Sequence, residues 1–245
     1  MSERKRVCAV IGAGDGLGAA IARAFAREGL AVCVTRRPRH LEALEALAQS
    51  IRAEGGAAQA FGLDARREDD MRAFVEGIER DIGPLDVLVF NIGANVRFSV
   101  VETTAQVYSK VWEMAAFAGF LASREAARVM APRGRGAILF TGATASLRGA
   151  AGFSAFAGAK HALRALAQSC ARELGPKGVH VAHVVIDGAI DGAFIRSLLP
   201  DAAEKRAREE ILIPDDIARN YVWLWRQPRS AWTFEMDLRP WAEPW

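Results

Sequence analysis

The stretch RVCAVIGAGDGLG, Arg6 to Gly18, carries three structural signals in succession. RVCAVI, Arg6–Ile11, is a short Val-rich apolar run bounded by glycine, the pattern of a strand buried on both faces. GAGDGLG, Gly12–Gly18, is a glycine-rich turn. From Leu17 onward apolar residues recur at helical spacing (Leu17, Ile21, Ala24, Phe25) until Gly29 closes the segment. Strand, glycine turn and helix in that order predict the first unit of a parallel α/β sheet.

Outward from there the unit repeats. Leu30–Val34 reads as a strand and Leu41–Ala53 as a helix. Residues 57–63 (AAQAFGL) read as a strand, Asp69–Ile82 as a helix, 85–90 (LDVLVF) as a strand and Gln106–Met130 as a helix. Residues 136–141 (GAILFT), Ser154–Leu174 and 179–186 (VHVAHVVI) continue as strand, helix and strand. Strands alternating with helices of this length need crossover connections. The expected fold is therefore a single doubly wound, Rossmann-type α/β domain over 1–245, with a mostly parallel sheet. The rhythm breaks at 187–214, an irregular insertion on the expected substrate side that includes the charged helical piece DAAEKRAREE. A short helix is expected from Asp215, and TFEMDL (233–238) as a last strand.

A chain of 245 residues can bury a sizeable core, and 51% hydrophobic with 25% charged residues is the balance of a soluble globular protein. The net charge is only +3, with acids and bases interspersed and no Lys/Arg block. Neither nucleic acid nor a membrane surface is an expected partner. Cys8, Cys33 and Cys170 lie far apart with no metal-ligand spacing, so no metal is expected and the thiols read as free in a reducing compartment. The first apolar run is broken by glycines and Asp15, which fits neither a signal peptide nor a membrane span; a cytoplasmic location is the expectation.

The glycine turn has a chemical reading. Glycines at 12, 14, 16 and 18 permit a tight turn and let the backbone, with Asp15 and Leu17 in the same loop, approach a pyrophosphate. The phosphate charge would then sit at the N-terminus of the following helix. The plainer alternative is a tight turn alone, but the position at the first strand–helix junction favours a dinucleotide. At the end of the second strand an acid would bind the ribose hydroxyls of NAD; this chain has Thr35-Arg36-Arg37. Two guanidinium groups suit the 2′-phosphate of NADP, so NADP(H) is expected ahead of NAD. A solvated arginine pair is the bland alternative.

The spacing Gly12, Gly16, Gly18 follows G-x-x-x-G-x-G. With Asp64 after the third strand, Asn91-Ile92-Gly93 after the fourth, and Lys160, it resembles the short-chain dehydrogenase/reductase family from about Val7 to Ile190. Departures are Ile11 where the family usually has Thr, and Ile92 where it has Ala. The resemblance implies that Asp64 and Ala65 contact the adenine and that the Asn91–Gly93 backbone lines the cofactor cleft. It also implies that the segment after the sixth strand (Asp187, Gly188, Ile190) closes on the cofactor, Asp187 taking the place of the usual proline. A homodimer or homotetramer is implied as well, with the Ala-rich faces of the fourth and fifth helices suited to close packing between subunits. Asp64 also reads as a turn or helix-capping residue.

The family's catalytic set is Asn, Ser, Tyr and Lys, in which the Tyr gives a proton to the carbonyl oxygen as hydride arrives. Mapped residue by residue, the Lys is Lys160, but the Tyr position is Phe156 in GFSAFAGAK, the Ser position Ala143 and the Asn position Ala116. The chain thus resembles an offshoot in which Phe replaces Tyr while Lys stays. Thr141, Thr144, Ser146, Ser154 and Asn95 flank the vacated positions and read as turn or capping residues; His161 reads as packing or surface. The expected function is an NADP(H)-binding oxidoreductase with an incomplete tetrad, passing hydride to an acceptor that needs no protein acid. The alternative is a catalytically inactive NADPH-binding sensor. Trp232, Trp241 and Trp245 read as core, with cleft closure or an interface as alternatives. The substrate stays open.

Overall fold

The computed structural model describes residues 4–243, the side chain of Phe194 excepted. Trp245 lies outside the described residues. Seven strands, β1 (Val7–Ile11), β2 (Ala31–Arg36), β3 (Ala57–Gly62), β4 (Leu85–Phe90), β5 (Gly136–Thr141), β6 (Val179–Ile186) and β7 (Glu235–Leu238), form one sheet. Their order is β3-β2-β1-β4-β5-β6-β7, and every neighbouring pair is parallel.

The helices are α1 (Leu17–Arg27), α2 (Leu41–Ala53), α3 (Glu68–Gly77), α4 (Ala105–Trp112), α5 (Ala118–Arg133), α6 (Ser154–Leu174), α7 (Ala193–Leu198), α8 (Ala202–Ala207) and α9 (Pro214–Arg226). Successive strand residues point to opposite faces, so the apolar strands feed two cores. On one face Val10, Val34, Val89 and Leu139 meet Ile21 and Phe25 of α1, Leu44 of α2 and Tyr221 of α9. On the other Ile11, Leu88, Phe90 and Ile138 meet Phe74 of α3, Leu121 of α5 and Leu163 of α6.

Two expected helices differ in detail. The stretch expected as one helix over Gln106–Met130 is α4 and α5 joined by a π-helical turn at Glu113–Phe117. The wider turn leads into Ala118 and Gly119, where a Cβ on Gly119 would meet Leu163 and Phe90, so α5 packs against α6 and β4 at the closest approach glycine allows. The Asp69–Ile82 helix likewise ends in a π turn at Ile78–Ile82. Among the described residues no helix is long and apolar enough to cross a membrane.

The chain leaves β1 toward β2 on one side, while β4 lies on the other. The crevice beyond the C-terminal ends of β1 and β4 is where open α/β sheets take their ligands. Residues 187–213, with α7 and α8, rise beside that crevice, tied at their base by a bridge between Ile190 and Leu212.

Candidate active site

The glycine turn is built as its sequence implies. Gly12 has φ of +95°, and a Cβ there would stand 2.9 Å from the Asn91 carbonyl oxygen, so only glycine fits. Asn91 returns a side-chain N–H to the Gly12 carbonyl at 3.0 Å, pinning the turn to the end of β4. Gly18 is packed: a Cβ would lie 2.6 Å from the Gly12 carbonyl oxygen. Gly16 differs, since a Cβ there meets nothing within 4 Å and it opens on empty space at the start of α1.

Two cavities meet along Asn91, Ile92 and Gly93. The first, about 220 Å³, is lined by Gly12, Gly14, Arg36, Arg37, Asp64, Ala65 and Arg66. The second, about 610 Å³, takes in Asp15, Gly16, Leu17, Asn95, Ala143, Phe156, Lys160, Gly188 and Ile190. Together they form one trough from the end of β2 to α6.

At the β2 end, Arg66 donates two hydrogen bonds to Asp64, at 2.9 and 2.5 Å, and these hold the Asp64 carboxyl below the usual carboxylate range. Asp64 also accepts from the Arg66 backbone N–H at 3.1 Å, so it is a turn residue as well as a wall of the trough. Arg36 and Arg37 form no ion pair among the described residues. Arg37 is pushed below its usual range first by burial and then by Arg39 and Arg66, and the guanidinium of Arg36 reaches the glycine turn, 3.9 Å from a Cβ built on Gly14.

At the α6 end, Lys160 is buried. Its ammonium donates to the carbonyls of Thr141 at 2.8 Å and Ile92 at 3.1 Å, and it lies 5.9 Å from the centre of the Phe156 ring. Burial brings its pKa down to about 8. Phe156 packs with Ala145, Ala157, Ala143 and Phe153 in a small apolar cluster. Phe156, Ala143 and Lys160 therefore converge, while Ala116 sits buried in the π turn and does not line the cavity.

Asp187, Trp232 and Trp241 lie apart from the residues that line the trough. Asp187 does not line the trough: its carboxylate accepts from the Thr144 hydroxyl and pairs with Arg239 at 3.1 Å, which turns it toward the C-terminal segment. Trp232 and Trp241 stay out of the trough. Trp232 stacks on His180 with ring centres 4.8 Å apart, and Trp241 is exposed.

Of the flanking hydroxyls, Thr141, Thr144 and Ser146 are engaged elsewhere. Thr141 shares a 2.7 Å hydrogen bond with Tyr221, and Ser146 accepts from the Ala143 N–H at 3.0 Å. Ser154 is buried without a partner among the described residues, Asn95 faces the cavity, and His161 meets the Ala157 carbonyl on the outside of α6.

The sequence reading did not single out a buried network behind this site. His183 of β6 meets Glu235 of β7 at 2.9 Å through Nδ1, and Glu235 takes a two-pronged ion pair from Arg164 of α6 at 2.6 and 2.7 Å. The ring fills the space beside Gly142, where any Cβ would overlap it. Two histidines, His180 and His183, in an otherwise apolar buried strand were the available signal.

Burial pushes His183 from 6.5 down to about 4. Between those values the unfolded chain binds more protons than the folded one. This contribution is full above pH 6.5 and is lost as pH falls through 4, about 3 kcal/mol in all. Urea midpoints at pH 7 and pH 4.5 are expected to differ much less in His183→Leu than in the wild type. An unchanged difference would contradict the assignment.

A dinucleotide fits the residues present on three observations: the Gly12 cradle that admits no Cβ, the open space over Gly16 at the start of a helix, and free arginines at the far end. The comparisons agree. A family model described as short chain dehydrogenase matches residues 6–201. An uncharacterized oxidoreductase of Bacillus subtilis, YxjF, is 33% identical over 204 residues, 83% of this chain and 78% of its own. A crystal structure of a short-chain dehydrogenase from Rhodopseudomonas palustris superposes with a TM-score of 0.83 at 49% identity, covering 97% of this chain and 100% of that one. A metagenomic short-chain oxidoreductase solved in complex with NADP gives 0.79 at 28% identity, covering 98% and 99%. With the matched model spanning most of the sheet and the whole trough, the chain belongs to the short-chain dehydrogenase family.

Proposed function

We propose that the trough holds NADP(H) and that the chain is an oxidoreductase acting on an acceptor that needs no protein acid. The carrying observation is one continuous trough with unpaired arginines at one end and an apolar wall beside Lys160 at the other. The acid at the arginine end, Asp64, is neutralised by Arg66, so Arg36 and Arg37 are left to meet a 2′-phosphate, which NAD lacks. The NADP-bound metagenomic structure supports the same cofactor.

When bound, the dinucleotide would supply hydride from its nicotinamide. Lys160 commits two of its three N–H groups to carbonyls and keeps one for a ribose hydroxyl. With a pKa near 8 it is charged at neutral pH. Phe156, Ala143 and Ala116 carry no exchangeable side-chain proton, and a positioned acid is worth about 10²–10⁴-fold. Simple ketones are therefore poor substrates, whereas an iminium needs no proton and a conjugated acceptor can take one from water. A second reading, an NADPH-binding sensor without turnover, is favoured by the apolar cluster around Phe156. The cavity also reaches Ala150, Phe153 and Ile195, beyond the residues assigned to the cofactor, which argues for a ligand beside it instead. Exposed Tyr108, Trp112 and Phe120 on α4 and α5 suit a second copy of the chain.

A fluorescence titration tests the cofactor. NADPH is expected to bind about tenfold or more tightly than NADH, as charge-assisted hydrogen bonds to one phosphate allow. Arg36→Ala/Arg37→Ala is expected to remove that preference while sparing NADH. Equal affinities in the wild type would overturn the NADP reading.

A further inference from the structure

The substrate end of the trough has a charge pattern that discriminates between those acceptor classes; the inference rests on the reading of this cavity as the one beside the nicotinamide. Its walls are apolar, with Ala150, Phe153, Phe156, Ile190 and Ile195 among the lining residues. Two cations line it: Lys160, and Arg148, whose guanidinium is half-exposed. The nearest acid to Arg148 is Asp187 at 3.9 Å, and that carboxylate is already taken by Arg239 and the Thr144 hydroxyl. Arg148 is thus only loosely held.

A third cation, Arg97, stands close. Arg97 forms no ion pair among the described residues and lies over the Phe153 ring, its guanidinium carbon 5.8 Å from the ring centre. The Lys160 ammonium lies beside Phe156. Negative charge does not balance them. Asp191, behind the Ile190 wall, is buried and held by Arg196 and Arg206, and Asp15 belongs to the glycine turn at the phosphate part of the trough. A cationic iminium would meet the like charges of Lys160 and Arg148, which oppose its binding.

We propose that this end of the trough takes an apolar carboxylate, its conjugated system against Phe156 and Phe153 and its carboxylate on Arg148, and that it rejects cationic acceptors. Arg148 is then a specificity residue: it touches the part of the ligand that does not react. Guanidinium suits it, because a planar fork pairs with both carboxylate oxygens.

Calorimetric titrations test this with three probes: 3-(2-naphthyl)acrylate, its uncharged amide, and 2-methyl-3,4-dihydroisoquinolinium. Each is added to the wild type, Arg148→Gln and Arg148→Lys, with and without saturating NADP⁺. The acrylate is expected to bind the wild type at least tenfold more tightly than the amide, and the isoquinolinium most weakly. Arg148→Gln is expected to bring the acrylate to the level of the amide, and Arg148→Lys to keep part of the difference, with NADPH affinity unchanged in both. Acrylate and amide binding alike, acrylate undiminished in Arg148→Gln, tighter binding of the isoquinolinium, or no acrylate binding at all would each overturn the proposal. Loss of NADPH binding in the wild type would instead sink the cofactor reading, while the titrations without nucleotide still decide the carboxylate site.

Discussion

Phe156→Tyr/Ala143→Ser is expected to gain NADPH-dependent reduction of simple aldehydes and ketones by about 10²-fold or more over a near-silent wild type. Both positions line the same cavity as Lys160, so the returned hydroxyls would face the returned chemistry. A tyrosine at 156 would stand beside the ammonium now lying 5.9 Å from the Phe ring, and that charge would lower the phenol's pKa. A serine at 143 would add a donor to the carbonyl oxygen where negative charge develops. The single Phe156→Tyr variant is expected to recover only part of the gain. The measurement is the rate of NADPH oxidation over a panel of carbonyl compounds. Robust ketone reduction by the unmodified protein would contradict the account, because some other side chain must then act as acid.

The second large effect belongs to the glycine turn. Gly16→Val is expected to fold normally and lose nucleotide binding by two orders of magnitude or more, because a Cβ at 16 meets no protein atom yet projects into the trough. Gly18→Val is expected to fail differently. Its side chain would run into the Gly12 carbonyl and Ala13, so the variant should lose stability by several kcal/mol, an overpacking cost at the upper end of the usual range. Thermal unfolding with and without NADPH separates the two. A Gly16→Val protein that NADPH still stabilises would reduce the turn to a mere connector.

These contrasts show which features sequence reading reaches. Strand and helix positions were legible because the central strands β1, β2, β4, β5 and β6 are buried on both faces and read as mainly apolar runs, and because α2 and α6 carry regular helical periodicity. The convergence of Lys160, Phe156 and Ala143 was implied by the resemblance to the short-chain dehydrogenase family, whose catalytic set occupies those three positions. The missed features depend on side chains brought together from distant segments. Asp187, read as part of the cofactor wall, is turned by Arg239 from the end of the chain. Asp64 is neutralised by Arg66 only because the turn between them brings the two side chains together. The Arg164–Glu235–His183 network draws on α6, β7 and β6, and no local pattern announces it. The π turn at Glu113–Phe117 was hidden because an extra residue in a helical turn leaves composition unchanged.

The measurement that tests the central claim most directly is a crystal structure of the protein with NADP⁺. The account predicts the 2′-phosphate between Arg36 and Arg37, the pyrophosphate over Gly16, a ribose hydroxyl on Lys160 and the nicotinamide against Phe156 with no side-chain acid within reach of it. A nucleotide whose nicotinamide lies away from Phe156, or that binds with Arg36 and Arg37 turned to solvent, would contradict it.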